Sequence, residues 1–263
     1  MTLDRFVRAK YQYDGDRIAR LTEILEVLGV ECARTIEEMV DLQFDALKHL
    51  HDSLKDTETF LKLVIANSIV SYQLTARGEE WWWEFSRHFS SSPPKKGILA
   101  EYSRFLPYSR TNRRLVSGKL KRLEKLEPFL ERLTLDDLRE YYFKDMLGLR
   151  DRLAEVMKSK KSAKTIVFSV KMFGYGARIA FSRFVPYPME IEIPDDVRIN
   201  SYTKRFTSEP AALFWSRIAE EVSIPPLHID SILWPVLGGK DEVMARLRRH
   251  CPRWEEIVEL ATL

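Results

Sequence analysis

The sequence predicts an all-α protein, and three observations carry that expectation. Apolar residues recur at three- and four-residue spacing along the chain. The 10 glycines and 12 prolines of the 263 residues fall mainly between these periods, and no useful set of alternating β runs is present. Ile18, Leu21, Ile24, Leu25 and Leu28 form the first periodic stretch, which ends at Gly29. Leu61, Val64, Ile65, Ile69 and Tyr72 form a second. Ser90 to Gly97 (Ser-Ser-Ser-Pro-Pro-Lys-Lys-Gly) reads as a linker and an exposed bend. Thr134 is placed as an N-cap before a helix carrying Leu135, Leu138, Tyr142 and Met146. Leu149, Leu153 and Val156 make a short amphipathic helix, Lys158 to Ala163 a polar turn, and a second helix starts at about Lys164. Met189 to Ile193 alternates but is short and bounded by Pro188 and Pro194, so it reads as an extended connector. Pro225 and Pro226 open a helix that carries Asp230 and Trp234 four residues apart, on one side.

Composition narrows the classes. With 45% apolar residues the chain can bury a core, which excludes wholesale disorder. The most apolar stretch, Leu61 to Leu74, contains Lys62, Asn67 and Ser68 and is too short and too polar for a membrane span. The N-terminus has no signal-peptide core, and Cys32 and Cys251 alone make neither a disulfide framework nor a four-thiolate metal site. A cytoplasmic, nucleoid-associated monomer without membrane contact is expected. The net charge of +3 conceals segregation: Arg104 to Lys125 holds eight basic residues against Glu124 alone, and Lys144 to Arg183 holds ten against Asp145, Asp151 and Glu155. Such stretches suit contact with a phosphate backbone, the alternatives being a solvated helix face or ion-pair networks.

The stretch from Leu149 to Phe181 carries the chemistry. In its second helix Ile166, Val170, Phe173, Ala177 and Ala180 make one buried face, while Lys164, Phe168, Lys171 and Tyr175 repeat at the same spacing as a separate stripe. Lys164 lies in the first turn, where the positive end of the helix dipole disfavours an ammonium and so favours the free amine that a nucleophile needs. The alternative is a phosphate-gripping hairpin in which Lys164 is one point charge among several. Asp196, in Pro194-Asp195-Asp196-Val197-Arg198, reads either as an N-cap or as a carboxylate that takes a proton from the amine or stabilises a cationic sugar. The Gly174-Tyr175-Gly176 pair follows no strand and is not a nucleotide-binding loop.

The hairpin with Lys164, followed some thirty residues later by Pro-x-Asp-x-Arg, resembles the helix-hairpin-helix superfamily of DNA glycosylases. Within it, the chain resembles the archaeal GO glycosylase family (AGOG). Asp41-Leu-Gln43, Ile69 to Glu80 followed by a tryptophan, Lys164 to Lys171, and Ile224 to Trp234 carry the match, from about residue 40 to 240. The lysine- and serine-rich turn before Lys164 departs from the Gly-x-Gly of most such hairpins. The resemblance implies two helical lobes with an active-site cleft between them: a middle lobe of about 60–185 containing the hairpin (149–181), and a second lobe from about 1–59 and 186–263. It further implies excision of 8-oxoguanine from DNA, with Lys164 as nucleophile and Asp196 as the essential carboxylate. Gln43, Trp82, Phe168, Lys171, Asp230 and Trp234 would contact the flipped base, Phe168 and Trp234 by stacking. Such a reaction uses no metal and no organic cofactor. A glycosylase for another lesion and a non-catalytic helical DNA-binding protein are the competing readings.

Overall fold

The computed structural model describes residues 10–263; residues 1–9, which open the second lobe expected from the sequence, lie outside that range. In chain order its helices are α1 (Gly15–Met39), α2 (Leu42–Leu54), α3 (Thr57–Ile69), α4 (Gly78–Ser91), α5 (Ile98–Phe105), α6 (Val116–Arg132), α7 (Met146–Met157), α8 (Lys164–Phe181), α9 (Val197–Thr203), α10 (Ala211–Val222), α11 (Pro226–Gly238), α12 (Asp241–His250) and α13 (Trp254–Leu260). Among the described residues the one β interaction is an isolated antiparallel bridge between Tyr13 and Thr207. No helix among them is long and apolar enough to cross a membrane.

Four of the helices start where an aspartate side chain satisfies free backbone N–H groups. Asp14, Asp56, Asp145 and Asp196 each accept from a backbone N–H of the first turn they open. The periodic stretch of α1 breaks at Gly29, whose φ of 65° and ψ of −179° only glycine adopts readily, and the helix resumes to Met39. Thr134 caps as expected, exchanging hydrogen bonds with Asp137. The helix behind it does not continue to Met146: a π-helical turn covers Asp137–Tyr142, and Asp145 then caps α7 separately.

The chain divides into two compact units, one holding residues up to Asp41 with Pro186–Leu263, the other Leu42–Val185. The division falls at Asp41, whereas the sequence reading puts it near residue 60, because α2 packs on α4 and α8. In the Leu42–Val185 unit, α8 lies against α2, α3 and α7 and is buried on nearly all sides. Gly176 brings α3 close: a Cβ there would stand 3.2 Å from Leu61 and 3.4 Å from Phe60 and Val64. That accounts for a glycine inside a helix where none was needed for a turn. In the unit built from the chain's ends, α1 packs against α10, α11, α12 and α13. Arg20 on α1 meets Glu259 on α13 with two hydrogen bonds of 2.7 and 2.8 Å.

Candidate active site

In the Leu42–Val185 unit the hairpin is built as its sequence pattern requires. Helix α7 ends at Lys158, which takes the left-handed conformation (φ 49°) where most such turns place glycine. Lys161 is tied back to Asp151 of α7 at 2.5 Å, and Asp151 also accepts from Arg150. Ala163 then precedes α8 without a side-chain cap, and Lys164, its first residue, is exposed. The stripe expected along α8 is present, and it runs from solvent into the core: Phe168 is half-buried, while Lys171 and Tyr175 are buried.

Around α8, α2 supplies the buried Gln43 and α4 the buried Trp82. Trp82 stands edge-on to Phe168, with ring centroids 6.2 Å apart, and is also in contact with Phe85. Its Nε1 is buried and has no hydrogen-bond partner among the described residues. A buried indole N–H in that state costs free energy, of order 1–3 kcal/mol, which a ligand acceptor would recover. Trp81, by contrast, donates to Ser71 Oγ at 2.8 Å and stacks on Phe105, so it is a core residue.

Next to Lys164, Thr165 Oγ1 accepts from Arg122 Nη2 of α6 at 2.8 Å. Arg122 and Lys119 both lie over the Tyr72 ring, 5.5 and 5.1 Å from its centroid. Lys119 is fully buried and donates to Asn112; burial, with Arg114 nearby, pushes its ammonium down to about 8. This cationic cluster was not singled out from the sequence. Its members lie within the Arg104–Lys125 stretch, so the charge count points to the region without saying which side chains turn inward.

In the unit built from the chain's ends, Asp196 caps α9, its Oδ1 accepting from the backbone N–H groups of Arg198 and Ile199 at 2.9 Å each. The N-cap reading of Asp196 from the sequence is thus present in the fold. Asp195 instead accepts from Asn200 Nδ2. On α11, Asp230 and Trp234 are half-buried on one side, and Trp234 Nε1 would lie 3.8 Å from a Cβ on Gly238, whose place is filled by Arg198 Nη1. The rotation of α11 is set by His228, fully buried two residues before Asp230. Its Nε2 accepts the Tyr187 N–H at 3.3 Å, which leaves Nδ1 to donate to buried Glu37 Oε1 at 2.9 Å. Residues two apart point to opposite sides of a helix, so drawing His228 inward turns Asp230 away from that core. The Glu37–His228 pair was not found from the sequence; its two halves are on α1 and α11, and only their packing relates them.

A model of the AGOG family, described as N-glycosylase/DNA lyase, matches residues 22–260. The chain belongs to the AGOG family of N-glycosylase/DNA lyases. An N-glycosylase/DNA lyase of Thermococcus kodakarensis is 65% identical over 263 residues, covering all of both chains. One of Methanococcus maripaludis is 49% identical over 225 residues, 84% of this chain and 89% of its own. The fold also matches a crystal structure of an AGOG protein of Pyrobaculum aerophilum, an 8-oxoguanine DNA glycosylase complexed with 8-oxoguanosine. That match has a TM-score of 0.78 and 22% identity, over 94% of this chain and 96% of the other. The AGOG match spans Gln43, Trp82, Lys164 and Asp196. The hydrogen bonds and burial above are what this chain's own packing adds.

Proposed function

We propose that this AGOG protein excises 8-oxoguanine from DNA and cleaves the resulting abasic site, with Lys164 as nucleophile. The observation that carries the reading is Lys164 itself: an exposed amine opening an uncapped helix, on the stripe that leads to Phe168 and, beyond it, the unpaired indole N–H of Trp82. The Lys164 amine attacks C1′ of the deoxyribose, the C1′–N bond breaks, and the base departs. The nitrogen lone pair then breaks the C1′–O4′ bond, O4′ takes up a proton, and the opened sugar is left as a protonated imine. This cation acidifies C2′–H, and loss of that proton expels the 3′ phosphate by β-elimination. Water as nucleophile would stop at the abasic sugar, so a lysine explains how one chain is both glycosylase and lyase. Asp196 is the carboxylate proposed to take up a proton and to stabilise the positive charge that develops on the sugar.

8-Oxoguanine differs from guanine in two atoms of its edge: O8 is an added acceptor, and N7 becomes a donor. The Trp82 indole N–H supplies the donor for O8 and the Gln43 amide oxygen the acceptor for N7–H. Asp230 accepts from N1–H and the amino group, Phe168 and Trp234 stack on the purine, and Lys171 interacts with the base. The protein acts on DNA as a monomer in the cytoplasm, at the nucleoid. Borohydride trapping tests the nucleophile: the native chain on an 8-oxoguanine oligonucleotide should give a covalent protein–DNA adduct that is absent with Lys164→Ala. An adduct that survived the substitution would show that another amine does the work.

A further inference from the structure

The two basic stretches of the sequence have different fates in the fold. In the second, Lys144 is paired with Glu140, Arg150 and Lys161 with Asp151, and Arg152 with Glu155, while Lys171 and Arg178 are buried. Six of those ten cations are thus paired or withdrawn from solvent, while Lys158, Lys160, Lys164 and Arg183 stay exposed. In the first stretch Arg104 pairs with Glu101, and Lys119 and Arg122 turn inward over Tyr72. Arg110, Arg113, Arg114, Lys121 and Lys125 are exposed and have no carboxylate partner among the described residues. The acid nearest in the fold to their loop is Glu84, and it is occupied: it accepts from Ser109 Oγ, Arg110 N, Thr111 N and Thr111 Oγ1. The same loop is fixed to the segment after α3 by Thr75 N to Thr111 O at 2.8 Å and Asn112 Nδ2 to Val70 O at 3.1 Å.

The fold thus presents a rigid loop with exposed, unneutralised cations, continued along α6 by Lys121 and Lys125, which are four apart on one side. Buried Lys119 and half-buried Arg122 add to the same positive field from beneath. We infer that the loop 109–115 and the exposed side of α6 form the surface that grips the phosphate backbone of duplex DNA, in preference to the lysine turn 158–163. Arg122 bonds Thr165 at 2.8 Å, so a strand held there lies beside the turn that carries Lys164. That last step rests on Lys164 being the nucleophile; the surface itself does not.

The test is binding to a duplex without a lesion, by fluorescence anisotropy across a range of sodium chloride, so that nucleophile chemistry plays no part. For Arg110→Ala/Arg113→Ala/Lys121→Ala the slope of log K against log salt should become shallower by about 3, close to one per phosphate contact, with roughly 10²-fold weaker binding near 0.1 M salt. The charge-keeping Arg110→Lys/Arg113→Lys variant should retain the native slope. A native slope in the triple alanine variant, with the loss appearing instead in Lys158→Ala/Lys160→Ala, would overturn the assignment. Since trapping of Lys164 is read separately on lesion DNA, failure of one proposal leaves the other standing.

Discussion

At the scale of single residues, the two carboxylate roles of Asp196 can be separated. Asparagine caps a helix about as well as aspartate, because its amide oxygen accepts the same N–H groups, but it carries no charge. Asp196→Asn should therefore keep the melting temperature while single-turnover base excision falls by about 10²–10⁴-fold. Asp196→Ala should lose both, with about 1 kcal/mol of stability gone with the cap. If the asparagine variant excised at the native rate, the carboxylate would be a cap and nothing more. Trp82 permits a similar division. Trp82→Phe removes the donor proposed for O8, so preference for 8-oxoguanine over guanine should drop by about 10-fold or more, the worth of one buried hydrogen bond. Cleavage of a preformed abasic site has no base to read and should be unchanged in that variant. Equal losses on both substrates would assign Trp82 to packing alone.

At the scale of elements, two positions show how local geometry sets the helices. Gly29 lies at a φ and ψ that cost other residues about 1–3 kcal/mol, so Gly29→Ala should lower the melting temperature by several degrees although a Cβ there meets no atom within 4 Å. A native melting temperature would mean that α1 straightens at no cost. The loop 109–115 depends on Glu84 of α4. Burial opposes the charge of Glu84, but hydrogen bonds from Thr111, Arg110 and Ser109 outweigh it and hold the carboxyl below its usual range. A depressed folded value means that the ionised form contributes stability above the ordinary carboxylate range, and that this is lost as pH falls through the folded value. Below about pH 4, the melting temperature of the native protein should fall more steeply than that of Glu84→Gln. Parallel curves would show that the ionised carboxylate does not hold the loop.

At the scale of the whole molecule, one unit is assembled from the two ends of the chain. Helix α13 closes it with buried Ile257 and Leu260, with the Leu260 carbonyl that Tyr202 donates to, and with the Arg20–Glu259 pair. Burying those two side chains contributes about 1.5–3 kcal/mol each. A chain ending at Arg253 should accordingly lose the order of α1 and α9–α12, seen as rapid proteolytic cleavage there, while Leu42–Val185 resists. Uniform loss of protection would show that the two units unfold together.

The helical class, the Lys158–Ala163 turn and the start of α8 at Lys164 were legible in the sequence, because periodicity and capping are properties of neighbours along the chain. The candidate site residues came instead from the AGOG resemblance, whose motifs are short and local. Continuity from Leu135 to Met146 was misread: the apolar spacing persists through a π-turn that only the backbone reveals. The burial of Lys119, the Glu37–His228 pair and the unpaired Trp82 indole could not be read, since each depends on segments brought together from different helices. Charge shows the same division most clearly. The sequence by itself determined that Arg104–Lys125 and Lys144–Arg183 were equally basic. Only the tertiary structure decided that six of the second stretch's ten cations are paired or withdrawn while five of the first's eight face water without a carboxylate, because ion pairs form through space and acids such as Glu84 and Asp151 can each serve only the groups that packing sets beside them.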